Sequence, residues 1–334
     1  MKKLLCLFVC LVMVLSLCSC KKAGSPESTP TTDPATGAPK DPSNPSDPTD
    51  PTDPSDPTDP EEPADPEVPE EPEDPTPKTT LTYSKYTYQV YDPENTRGLA
   101  TKRYEFSYGV AKDGKPHSQS VLNQQTFDSF QNVEALALDT KTGEKVMYLT
   151  FDCGYEYQNL TADILDTLKE KNVKVAFFIT LSYAKENPQL VQRMISEGHI
   201  VGNHSTTHPD FNTISRTQMV AEIAELDAYL RDTYNYTSPY FRFPTGAYSE
   251  NTLELVTSLG FRSIFWSVAH ADWDTANQKG ADNAFDTVTA RFHPGAVILL
   301  HAVSRDNAEA LGRMIDYAVS EDYTFQSLDY YYSK

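Results

Sequence analysis

The chain has 334 residues and a formal net charge of −20, with 24 prolines, an imbalance that an ordinary single globular domain does not show. The imbalance is local: residues 21–80 hold 16 acidic residues against 4 lysines and 17 of the prolines, a net −12, which leaves −10 for residues 81–334. So acidic a body excludes nucleic acid as a partner, because phosphate binding needs basic surface, and with four of the five cysteines in the first twenty residues it has no disulfide framework.

Lys2 and Lys3 precede an apolar run, Leu4 to Leu17, too short for a membrane span of roughly 20 residues and laid out as an export signal. The run ends Leu17-Cys-Ser-Cys20, which resembles a bacterial lipobox. The expectation is a signal over residues 1–20 with Cys20 as the lipidated mature N-terminus; an uncleaved signal or a plainly secreted chain is the alternative. Residues 21–80 repeat Asp-Pro-Thr and Asp-Pro-Ser between Ser46 and Pro60 and hold almost no large apolar residue. Proline blocks helix and sheet and like charges repel, so a disordered, extended tether is expected. At about 3.1 Å per residue it reaches at most on the order of 190 Å, which suits either work within a thick wall or a generic spacer.

Residues 81–145 read as a lead-in packed on the following domain. Thr-Tyr-Ser-Lys-Tyr-Thr-Tyr-Gln-Val-Tyr alternates like an edge strand, and Gly109 to Ser120 looks like loop. From residue 146 to 334 a catalytic domain is expected, with strands at Val146 to Phe151, Val173 to Thr180, Ile200 to Gly202, Tyr240 to Phe243, Ser263 to Val268, Ala296 to Leu300 and Tyr323 to Leu328. Helical periodicity marks Thr161 to Lys171, Pro188 to Glu197, Arg216 to Thr233, Glu250 to Leu259, Asn283 to Phe292 and Asn307 to Ser320. Gly198 and Gly260 stand where helices stop. Alternation on this scale implies α/β architecture with parallel strands: an incomplete (β/α)7-type deformed barrel, with an open doubly wound sheet as the second choice.

The residues that carry chemistry share one topological position. Asp152 follows the first of these strands, His204 and His208 the third, Arg242 ends the fourth, Asp272 follows the fifth and His301 the sixth. The C-terminal strand ends of a parallel barrel form one face, and that face hosts active sites. His204 and His208, four apart before Pro209, are either surface histidines or a loop-borne pair for a divalent metal, most simply zinc, which lowers the pKa of a bound water to about 7. His301 is either a core histidine or a general acid. Arg242 and Asp272 suggest an ion pair that holds Asp152 in place, and Trp273 suggests a wall of an apolar slot. His117, His199, His270 and His293 read as structural or surface residues.

Thr150-Phe-Asp-Cys-Gly154, His204-Ser-Thr-Thr-His-Pro209, Arg242-Phe-Pro-Thr-Gly246, Asp272-Trp273 and Leu299-Leu-His301, in that order, resemble the five motifs of the polysaccharide deacetylases, carbohydrate esterase family four. Phe151-Asp-Cys-Gly-Tyr-Glu156 and the run from His301 to Leu311 look like the branch that makes delta-lactam by removing acetyl from N-acetylmuramic acid. The resemblance implies Asp152 as base, His204 and His208 as metal ligands, and His301 as the acid that protonates the departing amine. It implies Arg242 orienting Asp152 with Asp272 holding Arg242, and Trp273 and Leu299 lining an acetate slot. A backbone N–H near Thr245 would stabilise the oxyanion.

Two positions depart from the family pattern. Cys153 stands where an aspartate ligand is usual, and is either a thiolate ligand or an inert buried residue; Thr245 stands where an aromatic is usual. Because muramic acid carries a carboxylate, the acidic enzyme needs a local cation, for which Arg305 is the candidate. The expected partners are peptidoglycan glycan strands and, through the N-terminal lipid, the outer face of the cytoplasmic membrane; no protein partner is implied. Deacetylation of N-acetylglucosamine or an O-acetylated polysaccharide, and a catalytically silent glycan-binding lipoprotein, are the competing readings.

Overall fold

A computed structural model describes residues 76–334; the signal, Cys20 and nearly all of the tether lie outside the described residues. The described chain begins with an antiparallel hairpin, β1 (Lys78–Tyr83) and β2 (Tyr86–Tyr91), turned at Ser84. Its alternating Thr and Tyr residues favour a pleated strand, and the pairing takes in Lys78–Thr80, expected in the tether. Helix α1 (Ser118–Ser129) and the two-residue strand β3 (Ala135–Leu136) follow. Neither is visible in the periodicity, because α1 has no apolar stripe. It buries Ser120, Asn123 and Gln124, which bond to backbone instead: Gln124 accepts from Ala137 N at 2.8 Å and donates to Ala135 O at 3.0 Å.

From Val146 strands and helices alternate: β4 (Val146–Cys153), α2 (Leu160–Glu170), β5 (Ala176–Ile179), α3 (Leu181–Glu186), α4 (Pro188–Ser196), β6 (Ile200–Asn203), α5 (Arg216–Tyr234), β7 (Tyr240–Phe241), α6 (Glu250–Ser258), β8 (Arg262–Ile264), α7 (Ala281–Thr289), β9 (Ala296–His301), α8 (Arg305–Ser320), β10 (Thr324–Phe325) and α9 (Leu328–Tyr332). Gly198 and Gly260 do end helices, at φ +81° and +82°, where a side chain would be strained.

The pairs β9–β4, β4–β5, β5–β6, β6–β7 and β7–β8 are all parallel. A further parallel bridge, Val268 to Ile298, joins the stretch after β8 back to β9, so the sheet curls into the expected deformed barrel. β3 lies beside β8. The expected seventh strand shrinks to β10, which pairs only with Val146 and Met147 at the foot of β4.

Strand β4 is buried along its whole length, as a parallel strand covered on both faces should be. Its two faces have different fates. Met147, Leu149, Phe151 and Cys153 join the outer core with Ile164, Leu165 and Leu168 of α2 and Leu311, Met314 and Ile315 of α8. Val146 and Tyr148 join the inner core with Ala176, Phe178, Tyr240, Ile264 and Val297. The period of two therefore turns Thr150 and Asp152 inward and Cys153 outward.

Candidate active site

Asp152 lies on the inner face one residue before the end of β4, directly opposite His301 on the neighbouring strand β9. Its Oδ1 accepts from Arg242 Nη1 at 2.7 Å. The Arg242 side chain is fully buried, follows β7, and spends its other donors on Thr150 Oγ1 (2.9 Å), the Ile264 carbonyl (2.9 Å) and the Phe265 carbonyl (3.3 Å), with its guanidinium 4.2 Å from the centre of the Phe178 ring. Burial pushes the Asp152 carboxyl up, but the charge of Arg242, with His204 and His301, outweighs it and leaves the pKa below the usual carboxylate value. Removing one partner of so buried a pair costs about 3–5 kcal/mol.

His204 follows β6, its Nε2 3.6 Å from Asp152 Oδ2 and its Nδ1 2.9 Å from the Arg242 carbonyl. That carbonyl can only accept, which puts the proton on Nδ1 and leaves the Nε2 lone pair free. Burial holds the ring's pKa down to about 4, so it is neutral. The His208 ring stands 4.8 Å from it at a 78° interplanar angle. Two residues of the connecting loop, Ser205 (φ 71°) and His208 (φ 60°), occupy the left-handed region, which non-glycine residues rarely enter without support. The support is Glu222 of α5, whose carboxylate accepts from Thr206 N (3.0 Å), Thr207 N (2.7 Å) and Thr207 Oγ1 (2.7 Å).

On the other side of the centre, His301 Nδ1 donates to Asp272 Oδ1 at 2.7 Å, and the His301 backbone N–H donates to Oδ2 at 2.8 Å. Asn307 Nδ2 donates to the same Oδ2 at 2.5 Å, and His270 Nε2 lies 2.9 Å from Asn307 Oδ1. Burial works against protonating His301, but its bond to Asp272 and the charges of Asp272 and Asp152 prevail and raise its pKa. The expected Asp272–Arg242 pair does not form. Four bonds to Asp152, Thr150 and two carbonyls already hold the guanidinium, and His301 and Asn307 occupy Asp272.

These groups open onto a cleft of about 790 Å³ whose lining includes Asp152, His204, His208, Leu299, Thr245 and His301. Trp273, 59% exposed, stands at its mouth with its ring 6.0 Å from that of His301. Thr245 is itself left-handed at φ 59°. Tyr108 and Trp266 also line the cleft, and nothing in the strand-end pattern pointed to them. Nor did it point to Glu222, Asn307 or His270; Asn307 lies in the quoted run after His301, which was its only signal.

Two expected site residues lie elsewhere. Arg305 opens α8, donates to Gln158 and does not line the cleft. Cys153 faces the outer core beside Ile164 and Tyr183, and burial holds its thiol well above the usual value. It is no ligand, because the alternation that brings Asp152 inward turns its neighbour away. Among the described residues no third His, Cys, Asp or Glu completes a ligand cluster. The two neutral imidazoles, one with its tautomer fixed by a carbonyl, are still donors that fit a divalent cation, with the remaining positions left to water and substrate.

Residues 139–264 match the polysaccharide deacetylase family. The chain is similar to the peptidoglycan-N-acetylmuramic acid deacetylase PdaA of Bacillus subtilis, 46% identical over 192 residues that cover 56% of this chain and 72% of the relative. It is 37% identical over 161 residues to a chitooligosaccharide deacetylase of Sinorhizobium fredii, covering 48% of this chain and 73% of that one. The solved structure of Bacillus subtilis PdaA, a family 4 carbohydrate esterase, matches with a TM-score of 0.64 at 38% identity, over 69% of this chain and 97% of that chain.

Proposed function

We infer that this chain, which belongs to the polysaccharide deacetylase family, hydrolyses the acetamido group of N-acetylmuramic acid residues in peptidoglycan. The observation that carries the reading is the opposition of Asp152 and His301 across adjacent strands, the carboxyl with its pKa lowered and the imidazole with its pKa raised. A glycan-binding module has no use for that opposition; amide hydrolysis needs a base and an acid on two sides of one carbonyl.

In this reading Asp152, oriented by Arg242, takes the proton of the attacking water. His204 and His208 would hold a divalent cation, with zinc suited to imidazole donors. A cation there would polarise the acetyl carbonyl and make water more acidic. A backbone N–H near Thr245, which lines the cleft, would stabilise the developing oxyanion, while Trp273 and Leu299 would shape the acetate slot. His301 delivers a proton from Nε2 to the leaving amine, because Nδ1 is committed to Asp272.

The similarity to the muramic acid deacetylase supports muramic acid as the substrate; the similarity to the chitooligosaccharide deacetylase supports N-acetylglucosamine as the second reading. Acetate release from defined muramic and glucosamine oligosaccharides separates them. Turnover confined to the glucosamine series replaces the first reading with the second, and release from neither at any divalent metal leaves a binder. The enzyme would act outside the cytoplasmic membrane, tethered by lipid on Cys20. Cys20→Ala would then move it from the membrane fraction to the medium, and unchanged fractionation would refute the anchor.

A further inference from the structure

Both carboxylates of the catalytic centre have partners: Arg242 for Asp152, and His301 for Asp272, which also has His270 Nε2 at 3.7 Å. A further guanidinium behind the wall has no carboxylate partner. Arg291, half-buried between α7 and β9, donates through Nη1 to the Ala269 carbonyl and makes no ion pair among the described residues. The Tyr108 hydroxyl donates to the same carbonyl at 3.1 Å. Burial pushes the Tyr108 phenol up, and the positive charge of Arg291 is the main force pulling against it. Tyr108, Ala269 and His270 all line the cleft.

This corner is built. Ser120 and Asn123 of α1 donate to the carbonyls of Tyr108 (2.6 Å) and Ser107 (2.7 Å). Gly109, at φ +70°, sits so close to His117 that an added Cβ would fall 2.0 Å from Nδ1, so that turn admits no side chain. His270 is steered by Asn307, which also holds Asp272, which in turn holds His301. The corner therefore abuts the residue that faces the leaving nitrogen, where a substituent on the next sugar carbon would lie.

We propose that Tyr108, Arg291 and His270 form a carboxylate subsite that reads an acidic substituent on the sugar carbon next to the scissile acetamide. The lactyl ether of muramic acid presents such a group, and the proposal rests on the deacetylase reading above. Like Arg305, Arg291 does not itself line the cleft, but it is bonded to the carbonyl of Ala269, which does, so its charge lies directly behind this wall. A guanidinium with no carboxylate of its own attracts an anion into a cleft whose other charges are already balanced, in a chain that is acidic overall.

The test is steady-state kinetics of the full chain on two muramic oligosaccharides that differ only in a free lactyl carboxylate or its neutral methylamide. The wild type should prefer the free acid at least tenfold in kcat/KM. Arg291→Gln and Tyr108→Phe should each lower kcat/KM for the acid about tenfold, mainly through KM, with a loss at least fivefold smaller on the amide, and Arg291→Lys should recover most of the preference. A wild type that prefers the amide or does not discriminate overturns the subsite, without recourse to any variant. Equal losses on both oligosaccharides in variants that melt like the wild type overturn it as well. Turnover of glucosamine oligomers with none of either muramic substrate overturns the muramic reading and the subsite together, which separates that failure from the subsite's own.

Discussion

Two carboxylates flank the cleft, and their partners make them opposites. Asp152 faces a buried guanidinium that does not titrate, so its own pKa falls and the ionised form, which can act as a base, is favoured. Asp272 faces an imidazole, and its bond and charge raise the pKa of His301, which favours the protonated ring. The same chemical group thus yields a base on one side and an acid on the other, and the choice of partner decides which.

The largest way to break this contrast is Asp152→Asn. It keeps the shape but loses the proton acceptor, and kcat should fall about 10³-fold, within the range of general-base contributions, with little change in KM; a loss under tenfold would remove Asp152 from the base role. Next, Arg242→Met strands a buried carboxylate and should cost about 3–5 kcal/mol in chemical denaturation. Glu222→Gln tests what holds the imidazole pair: with the strained loop released, the affinity for a divalent cation, measured by calorimetry, should fall about 10–100-fold while the melting temperature moves little. The smallest effect belongs to Cys153→Ala, which should leave cation affinity unchanged and cost on the order of 1 kcal/mol of stability; a large loss of affinity would restore the thiol as a ligand.

Much of the contrast was legible in the chain. Strand ends placed Asp152, His204, Arg242 and His301 on one face, since apolar β-branched runs interrupted by helical periods leave few alternatives. The fate of Cys153 was also legible in principle, because a strand's alternation cannot turn two successive side chains the same way. The partner of Asp272 was not. It sits in a loop after β8, and whether it reaches Arg242 or His301 depends on the long-range bridge that pairs Val268 with Ile298, which no local pattern encodes. The lead-in was legible only as an edge strand, where the structure has the hairpin β1–β2. Helix α1 is held by buried polar side chains bonded to backbone, so it leaves no apolar stripe, and it is α1 that fixes Tyr108 at the cleft wall.

The most direct test of the two-carboxylate account is the pH dependence of kcat/KM for acetate release, compared between the wild type and Asp272→Asn. Activity needs Asp152 ionised and His301 protonated, so the wild type should give a bell whose alkaline limb lies above the ordinary histidine value, as the raised His301 pKa requires. Without the Asp272 charge His301 loses its proton at lower pH, so the alkaline limb should move down while the acid limb set by Asp152 stays in place. An alkaline limb that does not move, or an acid limb that moves in its stead, would contradict the assignment of base and acid to these two side chains.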